Sequence, residues 1–344
     1  MNPKFVTVIL TGVAMLVFGC PFGKHHRYSI EITELTIVEP IGDSLNDSDD
    51  AVGGVSPSMS LKTTPAVWRD GQLLLVNNDE PSGILYGINN DGAVVGEKGQ
   101  LSPIGTGYHF ISFVDAMNPI PTMALPGSLY SLNESDEFVG LAGIEAVVGS
   151  MFDDALLSFN GDGGARAYDI NDQAHFVGST SDGTGTQRAA RWQGSAFTRL
   201  GSFGGTFSEA YAINNHDIAV GVTTDPPTAK TTEPHQAVYW MGGEIVAFPT
   251  LGGVESTAWD INDRGDAVGF SQDESEESRA VLWRNIGDGT PSVIDLNDVT
   301  DFGENVDSLI LRDAIDINEP GTILCRADRM DEGMTETVYL LLRP

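Results

Sequence analysis

Seven asparagines, Asn46, Asn89, Asn133, Asn171, Asn214, Asn262 and Asn318, recur at intervals of 43, 44, 38, 43, 48 and 56 residues. Seven amides brought to one axis could ring a pore and hold a ligand. An asparagine also bonds its own backbone two residues on, and a Gly or Asp nearby tolerates the left-handed turn position. Turn chemistry is the reading adopted for all seven. Trp68, Trp192, Trp240 and Trp283 also recur and could stack on sugars, but equivalent aromatic positions in a repeat serve an inter-sheet core first.

The remaining chemistry is sparse. Asp47, Asp49, Asp50, Asn160, Asp162, Asn285 and Asp288 sit in turns that offer calcium its preferred oxygens. None completes an EF-hand loop, so the expectation is no cofactor, with calcium the one candidate and solvated turns the default. There is no Gly-x-Ser-x-Gly elbow, no Gly-x4-Gly-Lys loop and no His-Glu-x-x-His. Of the six histidines, His25 and His26 fall before the repeats, and His109, His175, His216 and His235 are scattered through four of them. The pattern favours a protein without a catalytic role.

Each asparagine lies in a longer motif, clearest as Tyr86-Gly-Ile-Asn-Asn-Asp-Gly-Ala-Val-Val-Gly96, Tyr168–Gly178, Tyr211–Gly221 and Trp259–Gly269. Tyr130–Gly140 is a fifth copy, and 44–53 and 316–325 are weaker end copies. An alternating stretch, a polar turn and a β-rich stretch ending in Gly read as strand, hairpin, strand. A third strand follows at Ala66–Trp68, Ala146–Gly149, Ala189–Trp192, Ala237–Trp240 and Ala280–Trp283. A fourth is expected at Gln72–Val76, Thr122–Leu125, Ala155–Phe159, Ala196–Leu200, Ile245–Phe248 and Ser292–Leu296. Four short strands per repeat of this length is the period of a propeller blade. The expectation is an all-β, seven-bladed β-propeller of four-stranded blades. The last repeat lacks a fourth strand, and the alternating stretch Tyr28–Ile37 is expected to complete it, closing the ring and removing exposed edges.

In such a blade the loops between strands two and three vary while the scaffold stays rigid, and binding is usually placed there. The longest, Val222–Gln236, carries Thr223, Thr224, Asp225, Thr228, Thr231 and Thr232. Asp182 and Thr184 fall in an equivalent loop, as do Asp273 and Glu274. These ten residues are the candidate binding set; the alternative is that the loops are merely tolerated insertions.

Charge narrows the partners. The 344 residues carry 49 acidic and 18 basic side chains, a formal −31. Nucleic-acid affinity depends on Lys and Arg neutralising phosphates, so a nucleic-acid partner is excluded. With 41% apolar residues the chain can bury a core. Lys4 followed by the apolar run Phe5–Phe18 fits a secretory h-region and is too short to span a bilayer. The run ends in Leu16-Val17-Phe18-Gly19-Cys20, which resembles a bacterial lipoprotein box and implies lipidation at Cys20. An ordinary secretory signal is the alternative. Residues 1–19 are thus assigned to a signal, 20–27 to an anchor linker and 28–344 to one propeller domain. Cys325 then has no partner, so no disulfide framework is expected.

The repeats resemble the extracellular repeat proteins of the HAF family, whose units read as Leu-Gly-Gly, Ala-x-x-Ile-Asn-x-x-Gly-x-Val-Gly and Ala-Phe-x-Trp. Leu200–Trp283 matches best, with Val238 and Val281 in place of the family's Phe, and Ile294-Asp-Leu-Asn297 through Leu340–Pro344 resembles its ending. The resemblance implies an exported, propeller-like protein and brings no catalytic residues. The functional expectation is a monomeric, lipid-anchored cell-envelope protein that acts as a non-catalytic binding or scaffold module for a protein or glycan. The alternative is an exported polysaccharide hydrolase or lyase with a site at the propeller axis.

Overall fold

The computed structural model describes residues 28–31, 44–55, 63–70, 72–75, 83–98, 108–109, 127–150, 153–159, 163–181, 183–226, 233–287, 289–302, 309–331 and 334–344. The protein is an all-β propeller of four-stranded sheets, and its described strands form seven sheets. Sheet I comprises Ala51–Val55, Thr64–Arg69 and Gln72–Leu75; sheet II comprises Gly83–Ile88, Val94–Lys98 and Tyr108–His109. Sheet III runs Ser128–Leu132, Glu137–Ala142, Glu145–Ser150, Asp153–Phe159, and sheet IV runs Ala165–Ile170, His175–Ser181, Gln187–Gln193, Ala196–Arg199. Sheet V is Ser208–Ile213, Ala219–Thr224, His235–Met241, Glu244–Ala247, and sheet VI is Gly252–Ile261, Ala267–Asp273, Ser278–Arg284, Ser292–Asp295. Sheet VII contains Leu309–Ile317, Ile323–Asp331 and Met334–Arg343.

Burial falls from the inner strands to the outer. In sheet V the second strand, Ala219–Thr224, is buried at every position, whereas Glu244–Ala247 is mostly exposed. Ala237-Val-Tyr-Trp240 is buried at four consecutive positions. A strand covered on both faces has no solvent side, so the alternating pattern gives way to a continuous apolar run. The core is accordingly divided into layers between successive sheets. Val220 and Tyr239 of sheet V meet Ala258, Val281 and Trp283 of sheet VI, and Leu45, Ala51, Leu324, Tyr339 and Leu341 join sheets VII and I. Trp192, Trp240 and Trp283 are buried in these layers, and Trp68 packs against the last of them. The Nε1 groups of Trp240 and Trp283 donate to the carbonyls of Gly201 and Pro249 at 2.8 Å, so each tryptophan also ties its sheet to the link before it.

Several strand expectations are revised. Sheets I and II have three described strands each, because the first motif contributes only a bridge from Leu45 to Ala51 and Thr122–Leu125 lies outside the described residues. Tyr108–His109, not anticipated, pairs as the third strand of sheet II. In sheet VII Tyr28–Glu31, part of the stretch expected to complete the last repeat, runs antiparallel to Met334–Arg343, and Thr300–Asp301, not anticipated, pairs parallel to Tyr28 and Ser29. The one described helix, Leu296–Val299, is capped by Asp295. Residues 1–27, with Cys20, lie outside the described residues, as do 32–37. No helix among the described residues is long and apolar enough to cross a membrane.

Candidate functional site

Each motif asparagine performs three tasks. In the fifth copy, Asn214 Oδ1 accepts the backbone N–H groups of His216 and Ile218, both at 3.0 Å. Asn214 N–H donates to the Ile218 carbonyl and Asp217 N–H to the Asn214 carbonyl, each at 3.1 Å. Asp217 takes the left-handed position at φ 62°. That is a three-residue hairpin loop with its positive-φ residue last. In the other copies the position falls on Asp49, Gly92, Asp136, Ala174, Gly265 and Gly321. The third task is the side-chain N–H, which reaches the next turn. Asn46 Nδ2 donates to the Asn89 carbonyl at 3.2 Å, and the series continues through Asn133, Asn171, Asn214 and Asn262 to Asn318, which donates to the Asn46 carbonyl at 2.9 Å. Seven amides therefore form a closed ring, each saturated by protein partners.

A second ring lies one residue on. The backbone N–H of Asp47 donates to Asn90 Oδ1, that of Asn90 to Glu134, and so on through Asp172, Asn215, Asp263 and Glu319, which returns to Asp47 at 2.9 Å. These rings line a cavity of about 280 Å³. Burial, helped by Asp172 and Asp47, pushes the Glu134 carboxyl up, and burial with Asp263 and Asp47 does the same to Glu319. Deeper in the same cavity are Asp169, Asp260 and Asp316, all buried. Each clamps neighbouring inner strands: Asp169 accepts from Ile170 and Ile213 N–H, Asp260 from Ile261 and Ile317, and Asp316 from Ser44 and Leu45. Burial pushes Asp260 up to about 7, and burial plus repulsion from Asp260 raises Asp316 well above the ordinary carboxylate value. Among the described residues no group of three His, Cys, Asp or Glu side chains is arranged to hold a metal ion.

The other half of the motif builds a different layer. In sheets II to VI the ladder between the first two strands slips by one residue, as between Leu85 and Gly87 or Ala210 and Ala212. The extra residue is Tyr86, Tyr130, Tyr168, Tyr211 or Trp259, three positions before the asparagine. Such a bulge re-aims a side chain out of the pleat. It also explains the motif's last glycine. A Cβ at Gly96, Gly140, Gly178, Gly221 or Gly269 would overlap a carbonyl oxygen of the bulged strand. In sheet VII the position is Cys325, opposite Ala314, and the ladder slips twice, between Leu311 and Asp313 and between Ala314 and Asp316.

The re-aimed rings touch in series. Centroids are 5.6 Å apart for Tyr86–Tyr130, 5.8 Å for Tyr130–Tyr168, 5.6 Å for Tyr168–Tyr211 and 4.8 Å for Tyr211–Trp259. They lie one layer above the amide ring and form an arc across five successive sheets. Ile315 holds the matching place in sheet VII. The polar tips are engaged. Tyr168 and Tyr211 hydroxyls donate to the two oxygens of buried Glu209 at 3.0 and 2.9 Å. Ser179 and Gln187 also donate to Glu209. Tyr86 bonds Glu97, which Ser128 Oγ also reaches at 2.7 Å. Trp259 Nε1 donates to Asp313 at 2.8 Å, and Arg326 sits 3.3 Å from the same carboxylate. Burial raises the Tyr86, Tyr168 and Tyr211 hydroxyls, the nearby carboxylates adding to it, so all three stay protonated. Burial pushes Asp313 up to about 6 despite Arg326. Arg166 and Arg326 are exposed beside the arc, and Tyr130, Tyr168, Tyr211 and Trp259 are half-buried.

Six of the ten candidate loop residues are described. Thr223 and Thr224 are a correction: they belong to the strand Ala219–Thr224 and are buried at 0% and 2% exposure. Thr224 Oγ1 accepts from Phe207 N–H and donates to Glu233. Asp225 accepts from Gln236 at 2.8 Å. Asp273 closes a turn of the asparagine type, accepting from Ser275 and Glu277 N–H and pairing with Arg279, while Glu274 is exposed. Thr184 is exposed, and its hydroxyl lies 3.2 Å from that of Thr186. Asp182, Thr228, Thr231 and Thr232 lie outside the described residues. The aromatic arc was in the motifs all along; its signal was an aromatic residue at one fixed offset from Asn in five copies.

The sequence matches no known protein family and no curated protein. Among solved structures it is similar to the beta-propeller domain of the Trilobed protease from Pyrococcus furiosus, which has an open velcro topology. That match has a TM-score of 0.57 at 10% identity, over 90% of this chain and 94% of that one. TolB from Acinetobacter baumannii aligns with a TM-score of 0.42 at 10% identity, over 86% and 81%. At such identity the first likeness shows the propeller fold alone.

Proposed function

We propose that the seven sheets are seven blades of one ring, closed where Tyr28–Glu31 joins the last sheet, and that the ring is a non-catalytic binding or scaffold module. The module is exported, monomeric and held at the cell envelope by lipid on Cys20, with a protein or glycan as its partner. The blade count is supported by the return of both turn rings from sheet VII to the first motif. Export and anchoring rest on the signal-like N-terminus and on the repeats' resemblance to the HAF family.

The observation that carries the binding reading is the aromatic arc. Turn, clamp and core requirements are met by Asn, Asp and Trp elsewhere, yet five blades keep a large ring at a bulge that costs ladder hydrogen bonds. Half-buried ring faces with engaged polar tips make a recognition surface and leave no free nucleophile. One observation favours the alternative of a hydrolase or lyase: Asp313, pushed up to about 6, stands beside the arc as a general acid would. The full chain tests both. A partner should raise the melting temperature as RT ln(1 + [L]/Kd) without being consumed; release of product from a polysaccharide would move the assignment to the enzyme. Cys20→Ser should abolish incorporation of labelled fatty acid, and undiminished labelling would refute the anchor.

A further inference from the structure

We infer that the group received by the aromatic arc is a cation, the ammonium or guanidinium of a lysine or arginine on a basic segment of a partner protein. This rests on the arc being the binding site and assigns the chemistry of what it holds. Three observations carry it. Ring faces are electron-rich, and a cation within about 6 Å of a centroid is attracted to them; five such rings stand in contact here, Tyr86 buried and the other four half-buried. Four of the five polar edges are committed to carboxylates, through Tyr86 to Glu97, Tyr168 and Tyr211 to Glu209, and Trp259 to Asp313, while Tyr130 bonds Ser128. A phenol or indole donating to a carboxylate gains electron density in its ring, which strengthens the face toward a cation. The same commitment removes four of the five donors that sugar hydroxyls would need, and so disfavours a glycan.

Charge agrees. The carboxylates at the arc are Glu97, Glu209 and Asp313, and the guanidinium groups are Arg166, against Tyr168, and Arg326, paired with Asp313. Glu209 is 6% exposed and takes donors from Tyr168, Tyr211, Ser179 and Gln187, all neutral. The chain as a whole carries −31, which draws a basic partner in from a distance.

The reporter is Trp259, whose indole N–H points at Asp313. Octalysine and chitohexaose are titrated into the full chain at pH 7.5 in 0.3 M NaCl, with the indole resonance of Trp259 identified by Trp259→Phe. Octalysine is expected to shift that resonance, chitohexaose to leave it in place, and Tyr168→Leu/Tyr211→Leu to weaken octalysine at least tenfold. Tyr211→Phe keeps the ring and should retain most of the binding, which separates lost recognition from lost folding. Octalysine affinity unchanged in the double variant would mean attraction to the acidic surface in general and would overturn the inference. So would a Trp259 resonance that octalysine does not move. A shift with chitohexaose alone would also overturn it while leaving the arc as the binding site.

Discussion

The two layers of the inner strands obey different rules. The turn layer repeats in all seven motifs: Asn bonds Asn and the next residue bonds its neighbour, until both rings close. The aromatic layer, three residues away on the same strands, occupies five positions and stops, with Ile315 where a sixth ring would stand. A structure that only had to hold itself together would treat both layers alike, since the blades share one packing problem. Closed symmetry with every polar group saturated is what stability selects. Broken symmetry in large rings, with carboxylates and guanidinium groups beside them, is what the proposed recognition role requires.

The comparison is tested most severely at Asn214. Asn214→Ala strips the acceptor from the backbone N–H groups of His216 and Ile218 and the donor from the Asn262 carbonyl. A buried group left unsatisfied costs about 1–3 kcal/mol, so the variant should lose about 3 kcal/mol or more by chemical denaturation. Asn214→Asp keeps the turn acceptor, replaces the ring donor with an oxygen facing the Asn262 carbonyl, and should cost about 1–3 kcal/mol. Equal losses would mean that the ring donor and not the turn acceptor holds this layer.

The motif made the hairpin, the third strand and the repeat length readable, because period-two alternation and an Asn turn are local signals. The continuous runs Ala237–Trp240 and Ala280–Trp283 stood out for the same reason. What stayed hidden depended on neighbours. Val220-Gly221-Val222 carries no sign that Gly221 lies under a bulge, since the carbonyl it must avoid, that of Glu209, is twelve residues back. Thr223 and Thr224 looked like loop because Pro226 and Pro227 follow them, yet the ladder to His235 and Gln236 continues through both. The clamps at Asp169, Asp260 and Asp316 were likewise invisible: each serves N–H groups of the next blade, 44 residues on for Asp169 and 57 for Asp260. The rings of Tyr86 to Trp259 were visible as letters and misread as alternation.

Titration separates the two layers next. Asp260 in the turn layer is raised to about 7 by burial, and Asp313 in the aromatic layer to about 6. The unfolded value is about 3.9 for both, so the folded chain holds protons that the unfolded chain releases. Their stabilisation is fully present below about pH 4 and is lost as pH rises through the folded values. The melting temperature should fall on the order of a few °C from pH 5 to pH 8. Asp260→Asn should flatten the upper part of that fall, toward pH 7, and Asp313→Asn the lower part, toward pH 6. A melting temperature that rises with pH over this window would mean that neither carboxyl is held protonated.

The smallest effect is expected from Tyr168→Phe. The ring and its contacts with Tyr130 and Tyr211 are kept, and Glu209 still accepts from Tyr211, Ser179 and Gln187. Glu209 loses one donor of four and Arg166 one partner, so stability should drop by less than about 1 kcal/mol. That is below the cost of Asn214→Asp, although both changes remove a single side-chain donor near the axis. The difference follows from context: the asparagine donor belongs to a closed ring with no substitute, whereas the tyrosine donor belongs to a cluster with three others. A loss above about 2 kcal/mol would place the aromatic layer among the elements that hold the propeller shut, and its broken symmetry would then need an explanation other than recognition.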